Sequence, residues 1–101
     1  MTVEIRRITQ VSDALEEAFA RLMPQLSPRL GAPSREVLRR VAGSETGELL
    51  AAVAGERIVG VLTLAWYDAP SGRKAWIEDV VVDVFFLMIR RPPRSTLFPY
   101  T

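Results

Sequence analysis

The chain contains no cysteine and no histidine. The first absence excludes a disulfide framework, a thiolate nucleophile and cysteine-held metal. The second removes the usual base of serine and cysteine hydrolases and most zinc sites. Carboxylates, Tyr67 and backbone groups remain as the chemical inventory, and no metal site is expected. Long apolar runs are also missing. The longest, Val80 to Ile89, is interrupted by Asp83 and too short to span a bilayer, and the opening MTVEIRRITQ has two arginines with no apolar stretch behind them. A cytoplasmic location without a membrane partner is the expectation. Glycine is sparse: Gly31, Gly43, Gly47, Gly55, Gly60 and Gly72 form neither a dinucleotide fingerprint nor a P-loop, and none follows Gly72.

What is present is the composition of an ordinary globular domain, with 101 residues, 49% hydrophobic and 25% charged. All twelve acidic residues lie at or before Asp83, whereas Arg90, Arg91 and Arg94 lie after it. The net charge of +1 therefore comes from the end of the chain, and the rest offers no basic surface for nucleic acid. Arg39-Arg40 reads as a solvated helix face.

The hydrophobic pattern predicts a strand over 3–9, where Val3, Ile5 and Ile8 interleave with Glu4, Arg6 and Arg7. Ser12 and Asp13 then mark a helix start. Leu15, Ala18, Phe19, Leu22 and Met23 form its apolar stripe, with Glu16, Glu17 and Arg21 on the opposite side and Pro24 as an end or kink. A loop over 27–33 leads to Ser34, the N-cap of a second helix carrying Val37, Leu38 and Val41, stopped by Gly43. The period then changes to two. Strands are expected over 48–54, 58–67 and 74–82, with turns at Gly55-Glu56-Arg57 and over 68–72. Strict alternation in the last strand puts Ala75, Ile77, Asp79 and Val81 on one face and Trp76, Glu78, Val80 and Val82 on the other. The fold class is α+β: strand, two helices and a three-stranded antiparallel meander.

The segment Ala75-Trp-Ile-Glu-Asp-Val-Val-Val-Asp83, in this topological place, resembles the fourth strand of a GCN5-related N-acetyltransferase (GNAT). The resemblance covers residues 1–83, about half of a complete domain, and implies a truncated acyl-CoA N-acyltransferase fold. It further implies acetyl transfer from acetyl-CoA, as cosubstrate, to the amine of a small-molecule acceptor. With no cysteine for an acyl-enzyme, direct transfer in a ternary complex is expected. By the same resemblance the pantetheine amides pair with the backbone of Val80, Val81 and Val82, as another strand would. Three valines in a strand are equally what core packing produces. Glu78 and Asp79 correspond to positions lining the acceptor pocket, and Glu78 is the residue placed to hold a cationic amine or accept its proton. The alternative is a charged pair at a strand end, solvated or bridged to Arg73 or Lys74. Tyr67 and Trp66 end the preceding strand, where they line the acceptor site or, as aromatics at such a position more often do, belong to the core or rim. The first helices and the loop over 24–33 cover the acceptor in this family.

The family's phosphate-cradling loop, Arg/Gln-x-x-Gly-x-Gly/Ala after the fourth strand, has no counterpart in this chain. In its place stands MIRRPPRSTLFPYT, Met88 to Thr101, which back-translates residue for residue into one reading frame of a synthetic sequencing adapter. Residues 84–101 are accordingly expected to be a non-native tail. Pro92-Pro93 removes two donors where the family needs several converging backbone N–H groups. The expected consequences are an inactive chain and, with one sheet edge and one face uncovered, aggregation on expression. A different class of function is a non-catalytic α+β binding module ending naturally in a basic, proline-rich peptide. Oligomeric state is not readable from the residues.

Overall fold

The computed structural model describes residues 2–90. Seven elements follow in order: β1 (Val3–Ile8), α1 (Asp13–Leu26), α2 (Arg35–Ala42), β2 (Gly47–Ala54), β3 (Arg57–Ala69), β4 (Gly72–Val82) and α3 (Val84–Arg90). Both longer helices begin where a hydroxyl can satisfy an orphan donor. Ser12 Oγ accepts from the Leu15 N–H at 3.1 Å, and Ser34 Oγ from the Val37 N–H at 3.2 Å. Gly43 closes α2 by donating its N–H to the Arg39 carbonyl at 2.9 Å. Pro24 does not end α1, which runs on to Leu26. A proline so near the helix end removes one ladder bond, a small loss beside the burial of Leu15, Ala18, Phe19, Leu22 and Met23 just before it.

The strands form one antiparallel sheet in the order β1-β2-β3-β4. The β2–β3 turn is two residues, Gly55-Glu56, with Gly55 at φ 64 supplying the left-handed backbone such turns need. Arg57, expected within that turn, is instead the first residue of β3 and pairs with Ala54. At the next hairpin β3 and β4 reach further than their apolar pattern suggests, because Asp68 pairs with Arg73 and Ala69 with Gly72. The Arg73 Nε–Asp68 Oδ1 ion pair, 2.8 Å, sits across those two positions, so polar residues extend the ladder. Residues 91–101, holding most of the adapter-like run, lie outside the described residues; residues 84–90 continue as α3.

Both longer helices lie on one face of the sheet. Leu15, Ala18, Phe19 and Leu22 of α1 and Leu38 of α2 pack on Leu49, Val61 and Val81, each fully or nearly buried. At about 1.5–3 kcal/mol for each large aliphatic or aromatic side chain removed from water, this layer dominates the stability of the chain. The reverse face carries Ile5, Leu50, Leu62 and Val82, and neither α1 nor α2 covers it: Ile5 is 67% and Val82 41% exposed.

Candidate acceptor site on β3 and β4

The strict alternation expected for residues 74–82 breaks at Asp79. Val61 pairs with Val81 and Thr63 with Glu78, so Leu62 alone is opposed by two residues, Asp79 and Val80. This is a β-bulge, and Asp79 has φ 51, a left-handed conformation that aspartate tolerates better than most side chains. Directly paired residues share a sheet face, and Thr63 also pairs with the buried Leu49 beneath the helices. Glu78 therefore lies on the helix side of the sheet, with Val81. The sequence pattern put those two residues on opposite faces; a single bulged residue resets the period of two.

The same register carries the face outward beyond α2. Ala65 pairs with Trp76 and Tyr67 with Lys74, so Thr63, Ala65 and Tyr67 of β3 stand beside Glu78, Trp76 and Lys74 of β4. Tyr67 is 49% and Trp76 57% exposed. Trp66, grouped with Tyr67 by sequence, pairs with Ala75 on the reverse face. Among the described residues, neither Glu78 nor Asp79 forms an ion pair, and Arg73 is committed to Asp68, whose hydrogen bond raises the guanidinium above its ordinary value. The charged-pair alternative through Arg73 is thereby removed.

Next to Glu78 opens a cleft of about 460 Å³ between α2 and the sheet. Val37, Arg40 and Val41 form one wall, Thr63 and Ala65 the floor, and Ser44 and Thr46 one end. Glu78 does not line the cleft itself; as the cross-strand partner of Thr63, its Cβ stands about 4.5–5.5 Å from that floor residue's Cβ.

The three valines diverge. Val81 is 7% exposed and belongs to the helix-covered core, while Val80 and Val82 are largely exposed. Their strand is the last in the sheet, so among the described residues the outer N–H and C=O groups of β4 have no strand partner. An extended, amide-bearing ligand can pair there.

Asp83 was read from sequence only as the last residue of the family-like stretch, but it is the most highly connected acid in the structure. Its side chain is 2% exposed and accepts from Arg21 Nη1 at 2.6 Å, Gln25 Nε2 at 3.4 Å and the Phe85 N–H at 3.0 Å. Arg21 also donates to the Ile58 carbonyl at 2.9 Å, and Gln25 Oε1 accepts the Val84 N–H at 2.8 Å. Burial opposes ionisation of Asp83, but the bonds from Phe85, Gln25 and Arg21, with the Arg21 charge, outweigh it. The carboxyl is held below its ordinary value. Arg21 is thus not on the solvent side of α1, where helical spacing placed it. An acid directly before an apolar helix is an N-cap signal that could have found Asp83; nothing local marks Arg21 as its partner.

This cluster also bears on the phosphates of acetyl-CoA. A pyrophosphate needs free N–H groups converging on it. At the start of α3 the Val84 N–H is taken by Gln25 and the Phe85 N–H by Asp83, and the group already seated there is a carboxylate. Among the described residues after β4, the first turn of α3 does not fit a pyrophosphate. Among the described residues no acidic cluster can hold a metal ion, and no helix is long and apolar enough to cross a membrane.

No protein-family profile and no curated protein matches the chain. Solved structures do. An aminoglycoside acetyltransferase from an uncultured soil metagenomic sample, in complex with sisomicin, superposes with a TM-score of 0.68 at 20% identity, over 96% of this chain and 65% of that one. A GNAT family acetyltransferase of Staphylococcus aureus gives 0.70 at 14% identity, over 98% and 73%. This is a partial GNAT acetyltransferase fold. A ribosomal-protein-alanine N-acetyltransferase of Brucella melitensis gives 0.61 at 20% identity over 84% of this chain. The chain spans 65% of the soil enzyme's length and 60% of the Brucella enzyme's.

Proposed function

We propose that the chain is the acceptor-binding part of an N-acetyltransferase whose complete form moves an acetyl group from acetyl-CoA to an amine of a small molecule. The observation carrying this reading is the bulge at Asp79, which turns Glu78 onto the face shared with Tyr67, Trp76 and the cleft beside α2. A carboxylate with Trp76 two residues away on the same face suits an ammonium group: it attracts the cation and takes up its proton, directly or through water, as the nitrogen becomes nucleophilic. Asp79 and Tyr67 complete the acceptor side in this proposal. The backbone of Val80, Val81 and Val82 along the free edge is the pairing surface for the cofactor's amide-bearing arm. The sisomicin complex of the soil enzyme supports an amine-bearing acceptor class.

The chain as it stands is proposed to be inactive, with residues 84–101 a non-native tail, because the α3 start does not fit a pyrophosphate. Calorimetric titration of the 101-residue chain with acetyl-CoA is expected to give no saturable heat, and clear saturable binding would overturn the inactivity. Resequencing the source locus past the Asp83 codon is expected to reveal Arg/Gln-x-x-Gly-x-Gly/Ala within about ten residues. A stop codon or the same tail would favour the non-catalytic module.

A further inference from the structure

Two charged side chains of opposite sign bear on the cleft beside α2: Arg40, which lines it, and Glu78, one strand beyond its floor residue Thr63. On the helix side Arg40 is exposed, lines the cleft and forms no ion pair among the described residues. Ser44 and Thr46 place two hydroxyls at the same end, where Ser44 Oγ accepts the Thr46 N–H at 3.2 Å and lies 3.5 Å from Thr46 Oγ1. Across the floor, beside Thr63, stands Glu78, likewise without an ion-pair partner. Between them the surface is apolar, from Val37, Val41 and Ala65.

A ligand matching this arrangement carries a cation at one end, an anion at the other and a short apolar spacer. We propose that the acceptor is an amine bearing a second, anionic group, a carboxylate or a phosphate, with the anion held by Arg40 and the hydroxyls of Ser44 and Thr46 and the ammonium held by Glu78. The proposal rests on the acetyltransferase reading for the ammonium end and adds the anionic end to it. Arginine suits that end because its planar fork donates two parallel hydrogen bonds to a carboxylate or phosphate. A polycationic aminoglycoside would meet Arg40 as a like charge, so the cleft separates this chain's acceptor class from that of its soil neighbour.

The test uses the 101-residue chain at micromolar concentration, with Trp76 beside Glu78 as the fluorescence reporter. The ligands are ω-amino carboxylates from β-alanine to 6-aminohexanoate, the matching aminoalkyl phosphates, and alkylamines of equal length without the anion. At least one spacer length is expected to bind about tenfold more tightly than its alkylamine, the gain of one charge-assisted hydrogen-bonded contact. Whether the carboxylate or the phosphate series gives the larger gain identifies the anion. Arg40→Gln, an exposed change that leaves the core untouched, should erase that gain while leaving alkylamine affinity as it was. Equal affinities for the two classes, or an Arg40→Gln variant that keeps the preference, would overturn the proposal. The same variant in the protein completed from the source locus should raise KM for the preferred amine about tenfold at unchanged kcat; an unchanged KM overturns the proposal in a chain too aggregated for titration. Anion-dependent binding without acetyl transfer by the completed protein would refute the acetyltransferase reading and leave this one standing. Transfer to amines that ignores Arg40 would do the reverse.

Discussion

At Val81, and at Asp83 just past its end, β4 is packed beneath α1 and tied to it, whereas from Lys74 to Asp79 the strand lies open. The bulge at Asp79 divides the two regions. On the closed side every strong polar group has a partner: Arg21 and Gln25 reach Asp83, and Asp83 reaches the first turn of α3. On the open side Glu78 has none among the described residues, and Trp76 and Tyr67 leave about half their surface exposed. Neighbouring residues of one strand thus serve stability and ligand chemistry separately. Folding should depend on the closed side and acceptor binding on the open one.

The comparison breaks most visibly if the closed side can be cut without cost. Asp83→Ala leaves the Arg21 guanidinium without its buried partner and should cost about 3 kcal/mol in urea unfolding, where a change under about 1 kcal/mol would mean the ion pair contributes little. Acid sharpens the same point. The folded carboxyl of Asp83 lies below its unfolded value, so its contribution is complete above about pH 4 and is lost as pH falls through the lower folded value. Acid-unfolding curves of Asp83→Asn should lack that added loss, and superimposable curves for variant and parent would assign the acid sensitivity elsewhere.

On the open side the expected effect moves from stability to chemistry. Glu78→Gln should leave the melting temperature of the chain unchanged while lowering amine acetylation by the completed protein roughly a hundredfold. A variant that melts lower would return Glu78 to a structural role. The smallest effect belongs to the divider: Asp79→Gly removes the side chain from a left-handed position and should stabilise the chain by up to about 1 kcal/mol, read from chemical denaturation.

Much of the fold is legible from the residues. The stripe from Leu15 to Met23 repeats at helical spacing, and Ser12, Ser34 and Gly43 cap the two longer helices as their chemistry dictates. The alternation in β2 matches its burial, with Leu49, Ala51 and Val53 inward. The candidate site was legible in composition but not in arrangement. Glu78 and Asp79 follow from the family-like strand and Tyr67 from the end of the strand before it, yet alternation groups Glu78 with Val80 and Val82 on a face opposite Val81. Pairing places Glu78 with Val81 and separates Tyr67 from Trp66.

Local periodicity, caps and turns depend on residues a few positions apart, so the sequence alone determined the order and kind of the elements from β1 to β4 and which faces of α1 and β2 are apolar; the helix Val84–Arg90 was not among them. Arg21 and Asp83 are separated by 62 positions and meet only because α1 lies across the end of β4. The bulge exists only as a mismatch between two paired strands. The face of Glu78, the cleft opposite Arg40 and the buried charge at Asp83 were therefore decided by the tertiary structure, because each depends on which distant backbone lies opposite.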